Sequence, residues 1–295
     1  MRPSGLAAVA IAAVAAGCGE RVDSGGARPV SRPVGYETQQ DALVLCGPKG
    51  DELKAYLMRI APAKRELRRV QGPGADGLAS GVGAGGRSTY AYVGPSDFLG
   101  GDVYVVRKGV GSGLGSGTSV AVGPKGEVAF VREEGSDQLR SVVYIARAGE
   151  PPQRLKGFRQ VAGIEWTPRD GLVAYVAGRR GELMRVRNLL DRPRAERWPI
   201  GASVAVVSDP RSARLAVGLP GSGGRRVDTV VLRRNGARRI LAQGGFPVAW
   251  SPDGRLVVVS RANDVSAYRA DTGTRAWSRS LSCGRVFRMS WPSAT

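Results

Sequence analysis

The stretch Pro247–Ser260, PVAWSPDGRLVVVS, decides the fold. An apolar lead-in, a Ser-Pro-Asp-Gly corner and a Val-rich exit follow one another. Proline presets φ at about −65°, which suits the second position of a type I turn. Asp caps such a turn with its side chain, and Gly accepts the positive φ that follows. The flanks favour strands, so the segment reads as a β-hairpin.

The same device recurs along the chain. Ser119 opens SVAVGPKGEVAFVRE, Gly163 opens GIEWTPRDGLVAYVAG, Ser203 opens SVAVVSDPRSARLAVGL, and Arg285 opens the terminal RVFRMSWPSAT. The corner prolines Pro124, Pro168, Pro210, Pro252 and Pro292 are spaced by 44, 42, 42 and 40 residues. Trp166, Trp250 and Trp291 precede their prolines by one or two places. Behind each hairpin come two more strand-like segments, for example ELMRVRNL then RAERWPI, with Trp198 and Trp277 in the fourth. Four strands in about 42 residues make the unit of a β-propeller blade. One such sheet cannot cover both of its faces, whereas neighbours stacked about an axis cover each other.

WSPDGRLVVVS and WTPRDGLVAYV resemble the repeat of TolB-type, WD-repeat-like β-propellers, which also occur in some peptidases. The likeness spans four repeats, from about Ser119 to Gly284. It implies a fold and says almost nothing of activity. Protein–protein contact in a bacterial cell envelope is what it implies about role, since better-known members work with a peptidoglycan-associated partner.

Two degenerate repeats precede these four, at about 79–118 and 38–78. In the former, GVGSGLGSGTS reads as loop, which leaves that repeat without a clear fourth strand. The terminal RVFRMSWPS is a leading strand with no followers. Set beside DALVLCG it completes the first repeat and removes exposed sheet edges. The expected fold is therefore all-β: a six-bladed propeller of four-stranded blades, closed by the C-terminal strand joining the first blade. Seven blades would need about 295 residues beyond the N-terminal tether.

Three segments are expected. Residues 1–17 form a signal peptide: Arg2 precedes the apolar run LAAVAIAAVAA, too short to span a bilayer. AAGC resembles a bacterial lipoprotein box with Cys18 as the lipidated residue, although Ala15 stands where Leu is usual. An ordinary signal peptide cut after a small residue is the alternative. Residues 18–36 read as a flexible tether, and 37–295 as the propeller. The expected location is the outer face of the cytoplasmic membrane, or the periplasmic side if a second membrane exists, with the lipid as anchor.

Two cysteines remain, Cys46 and Cys283. Cys46 ends an early strand of the first blade, and Cys283 lies just before the closing strand. A disulfide between them would staple the two ends together in an oxidising compartment. They fall a few residues out of register, so the loop must bend; two buried free thiols are the alternative.

The net charge is +19, and Arg outnumbers Lys heavily. In an exported protein this points to anionic lipids or wall polymers instead of nucleic acid, although Arg, Gly and Ala use also follows genomic base composition. Loops between second and third strands carry Arg132, Arg140, Arg179, Arg180, Arg225, Arg226 and Arg261. Guanidinium forks suit carboxylates and phosphates, so these residues are a candidate anion or partner face. Scattered solvated charge, balanced in part by Glu133, Glu134, Asp228 and Asp264, is the plainer reading.

Other motifs are structural. GVGAGG, Gly81–Gly86, precedes a strand instead of opening a helix, so it reads as a turn and not as a dinucleotide loop. The phased Trp residues read as packing between blades. Asp170 and Asp253 read as turn caps, not metal ligands. The chain has no His, the usual base for a Ser or Cys nucleophile. No catalytic residue, cofactor or metal is expected. The expected role is a non-catalytic, monomeric binding or scaffold module. The alternatives are envelope-polyanion binding through the Arg face and carboxylate-pair carbohydrate chemistry.

Overall fold

The computed structural model describes residues 41–47, 54–59, 67–69, 81–85, 89–97, 100–107, 110–134, 140–158, 160–178, 182–198, 200, 205–221 and 226–291. Among them are 24 β-strands in six four-stranded antiparallel sheets. The first sheet joins β1 (Asp41–Gly47), β2 (Lys54–Arg59) and β3 (Leu67–Arg69) to the last strand of the chain, β24 (Arg285–Ser290), in the order β24-β1-β2-β3. Every other sheet takes four consecutive strands. The second holds β4 (Gly81–Gly85), β5 (Thr89–Asp97), β6 (Gly100–Arg107) and β7 (Val110–Gly117). The third holds β8 (Ser119–Val122), β9 (Val128–Glu134), β10 (Arg140–Ala146) and β11 (Gln153–Phe158). The fourth holds β12 (Val161–Thr167), β13 (Gly171–Ala177), β14 (Leu183–Arg187) and β15 (Arg194–Trp198). The fifth holds β16 (Ala205–Ser208), β17 (Leu215–Pro220), β18 (Val227–Leu232) and β19 (Arg238–Ala242). The sixth holds β20 (Phe246–Trp250), β21 (Leu256–Arg261), β22 (Asp264–Arg269) and β23 (Arg275–Ser280).

Strand alternation explains how the sheets stack. Successive side chains point to opposite faces. On β9, Val128 and Phe130 pack with Ala91, Val93, Val103 and Val105 of the second sheet. Ala129 and Val131 of the same strand pack with Ile164, Leu172 and Ala174 of the fourth. On β13 the alternation continues: Leu172 and Ala174 face the third sheet, Val173 and Tyr175 face Leu215 and Val217 of the fifth. Ala216 turns to Trp250, Val257 and Val259 of the sixth sheet, and Val258 of the sixth turns to Ala42, Val44 and Val286 of the first. Both faces of each second strand are covered, so these strands read as continuous apolar runs such as LVAYV and LVVV. β1 and β24 of the first sheet also touch β4 of the second.

The corners form as their residues dictate. In Ser251–Gly254 the Gly254 amide donates to the Ser251 carbonyl at 2.9 Å, and Asp253 accepts the Arg255 amide at 3.0 Å. Gly254 takes φ +70°. This corner is locked to the preceding sheet. Asp209, fully buried, accepts from the Arg211 amide at 2.9 Å and from Arg214 at 2.7 Å. Arg214 in turn donates to the Gly254 carbonyl at 2.8 Å. Trp250 Nε1 donates to the Val207 carbonyl at 3.0 Å, across the same pair of sheets.

Two sequence expectations are corrected. GVGSGLGSG, read as loop, contains β7, which ladders onto β6 from Gly101↔Gly117 to Arg107↔Val110. β7 is the outer strand of its sheet, and only its last residue, Gly117, is buried. Backbone pairing with β6 holds most of it, with Leu114 packed on the core and Arg132 donating to the Ser116 carbonyl, so its other side chains need no pattern. Gly81–Gly85, read as part of a turn, is β4, paired with β5 from Gly81↔Val93 to Gly85↔Thr89.

Candidate functional site

The predicted site residues divide into three groups. Cys18, Arg179, Arg180 and Arg225, with segments 1–17 and 18–36, lie outside the described residues. Cys46 and Cys283 are bonded, with Cα atoms 5.8 Å apart. The register of β1 on β24 shifts between Leu45 and Cys46, and Cys46 pairs with Val286. Cys283 reaches back because Gly284, at φ +91°, turns the chain just before β24.

Three of the remaining arginines, expected in loops, stand on strands because the hairpins between second and third strands are shorter than the sequence suggests: Arg132 lies in β9, Arg140 opens β10 and Arg261 ends β21. The Arg132 guanidinium lies over the Tyr144 ring at 4.7 Å and the Phe130 ring at 5.7 Å, and its Nε donates to the Ser116 carbonyl at 3.3 Å. Arg226 Nε is 3.5 Å from Asp228 Oδ1. Arg140 and Arg261 are exposed. Arg132 and Arg226 thus have partners within the fold; Arg140 stands opposite Glu134 on the neighbouring strand, and among the described residues of this set Arg261 has no ion pair.

Asp253 caps its turn, as expected, but Asp170 does not. The Asp170 carboxylate binds Arg185 at 2.8 Å and Arg187 at 2.9 Å. Glu196 binds Arg187 at 2.6 Å and lies 3.7 Å from Arg185. Arg185 is 0% exposed. A buried guanidinium needs acids around it, and the corner acid of the fourth sheet supplies one of them. Among the described residues no group of three or more Cys, Asp or Glu stands together as a metal site.

One cavity, of about 110 Å³, lies where the first strands of several sheets converge. β8, β12, β16, β20 and β24 line it, and Trp166, Trp250 and Trp291 form part of its wall. Two charged side chains line it, Glu165 and Arg288. Glu165 accepts the Ser208 amide at 2.9 Å and the Tyr175 hydroxyl, which also meets the Ser208 hydroxyl. Burial, with the Glu165 charge beside it, raises the Tyr175 phenol well above its usual pKa. Arg288 stands on β24 in the first sheet, yet its Nη2 donates at 3.2 Å to the carbonyl of Ile164 on β12 in the fourth. Gly163 lies under that guanidinium, where a Cβ would come to 3.6 Å from Nη1. The sequence offered no way to single out Arg288, because its partner lies 124 residues away and Arg is abundant throughout.

No protein-family model and no curated protein matches the sequence. Among solved structures the chain is similar to TolB from Acinetobacter baumannii, with a TM-score of 0.64 and 14% identity over 86% of this chain and 67% of that one. It is also similar to a chain of a nidogen/laminin complex, with a TM-score of 0.60 and 13% identity over 85% of this chain and 97% of that one. At such identities the likeness is one of fold: the chain has a β-propeller fold similar to that of TolB.

Proposed function

We propose that the protein is an exported, lipid-anchored scaffold that binds a protein partner in the cell envelope without catalysing a reaction. Its six sheets form a closed six-bladed ring. The pairing of β24 with β1 and the contacts of each sheet with two others support that ring. The observation that carries the functional reading is the interlocking of successive sheets, seen at Asp209–Arg214–Gly254 and at Trp250–Val207. Such locks leave the connecting loops as the parts free to vary and to recognise a partner. The disulfide supports export, since such bonds persist in oxidising compartments. The anchor is Cys18, on the strength of AAGC after the apolar run.

The test is cross-linking of the tagged full chain in its native cells, with recovery in low and high salt. One protein recovered in near-constant yield at both salts is the expected result, with Cys18→Ser releasing the protein from membranes. Turnover of glycan substrates by the purified chain, with no protein recovered, would overturn the reading. A second reading, binding of envelope polyanions, is favoured by the net charge of +19 and by exposed Arg140 and Arg261. It predicts steep loss of capture with salt.

A further inference from the structure

We propose that the central cavity is a binding site for a small organic carboxylate, anchored by Arg288. This reading is independent of the identity of any protein partner. A guanidinium has five N–H donors in a planar fork. Arg288 places one on the Ile164 carbonyl, and among the described residues it forms no ion pair with any carboxylate. Glu165, the other charged residue of the lining, makes no ion pair with it: that carboxylate accepts from Tyr175 and the Ser208 amide, and its charge acts on buried Arg185. A partly buried cation with no ion-pair partner among the described residues therefore fronts a cavity of about 110 Å³, which Glu165 also lines.

Three features select the guest. The charge selects an anion, and the fork favours the two coplanar oxygens of a carboxylate. The walls add Trp166, Trp250 and Trp291, so an apolar or aromatic body behind the carboxylate gains contact. The volume, at roughly 10–15 Å³ for each water, holds about seven to eleven waters. That is the size of benzoate or butyrate, and smaller than a nucleotide.

The probes are benzoate, butyrate and inorganic phosphate, with benzyl alcohol as the neutral counterpart of benzoate. Each is titrated into the full chain at constant ionic strength, followed by calorimetry and Trp fluorescence. Saturable binding of benzoate or butyrate is expected, with benzyl alcohol and phosphate weaker by about tenfold or more. Arg288→Gln should weaken benzoate by about tenfold or more at an unchanged melting temperature, and Arg288→Lys should fall between. Equal binding of benzoate by wild type and Arg288→Gln would overturn the proposal. So would equal binding of benzoate and benzyl alcohol, or no saturable signal from either carboxylate. Should Arg288→Gln fail to fold, the wild-type comparison of benzoate with benzyl alcohol decides the matter alone. Tighter binding of phosphate than of carboxylate would refute the chemistry assigned to the site.

Discussion

Reducing the Cys46–Cys283 bond should lower the stability of the protein more than any single surface change. The bond ties residues 237 apart. On a chain-entropy count, cross-linking a loop of that length removes about 5 kcal/mol of freedom from the unfolded chain, while most bridges deliver roughly 2–4 kcal/mol. The folded state keeps its other means of docking the tail: Leu43↔Ser290, Val44↔Met289 and Leu45↔Arg288 pair without the sulfurs, and Val286 and Met289 stay buried. The reduced protein should therefore remain folded in water but unfold earlier. With a slope of about 3 kcal/mol per molar urea, a loss of about 4 kcal/mol moves the midpoint down by roughly 1–1.5 M. The assay is equilibrium urea unfolding followed by Trp fluorescence, with and without reductant. The Cys46→Ala/Cys283→Ala double variant serves as a control that reductant should leave unchanged. A reduced protein within about 1 kcal/mol of the oxidised one would refute the reasoning. It would mean that the unfolded chain gains little freedom when its two ends are released.

Three further outcomes are expected. Gly254→Ala puts a Cβ 2.5 Å from Asp209 Oδ1 at φ +70°, whereas Gly236→Ala, at φ +81°, meets nothing within 4 Å. Thermal unfolding should show a cost of about 1 kcal/mol at position 236 and about 3 kcal/mol at 254, and equal costs would discredit the lock between the fifth and sixth sheets. Asp170→Ala removes the nearest acid from buried Arg185 and leaves it Glu196 at 3.7 Å, so it should cost about 3 kcal/mol, part of which returns in Asp170→Ala/Arg185→Met; chemical denaturation of the pair checks this, and a cost under about 1 kcal/mol for the single change contradicts it. Burial pushes the Tyr90 phenol from 10.0 up to about 12. Below pH 10 both folded and unfolded states hold that proton. Between pH 10 and 12 the folded state holds it more tightly than the unfolded, so stability present below pH 10 falls by about 2 kcal/mol by pH 12. Tyr90→Phe should flatten that part of the stability–pH curve, and an unchanged slope would disprove the assignment.

The corners and second strands of the later repeats were legible because their chemistry is local. Pro252, Asp253 and Gly254 specify a turn within four residues, and a strand buried on both faces, such as β21, cannot hide its apolar run. β4 and β7 were not legible. Their Gly-rich stretches carry no alternating side chains, and they are strands because β5 and β6 offer backbone partners. The cysteine pair was legible once the tail was set beside β1, as was the need for a bend, which Gly284 supplies. The role of Asp170 was missed because Arg185 and Arg187 lie a strand away, and a corner Asp looks alike whether it caps or pairs. The cavity was illegible for the same reason on a larger scale: Arg288 and Ile164 meet only after the sheets assemble.

The first sheet takes three strands from the beginning of the described chain and one from its end. On a ribosome β1, β2 and β3 emerge before the other strands and wait, with one edge bare, until β24 has been made. Later sheets, each made of consecutive strands, can form behind them in order of emergence. A premature stop anywhere before Arg285 therefore leaves the earliest-made sheet unfinished. A rearranged gene that places the β24 codons ahead of β1 would instead let every sheet finish as it is synthesised.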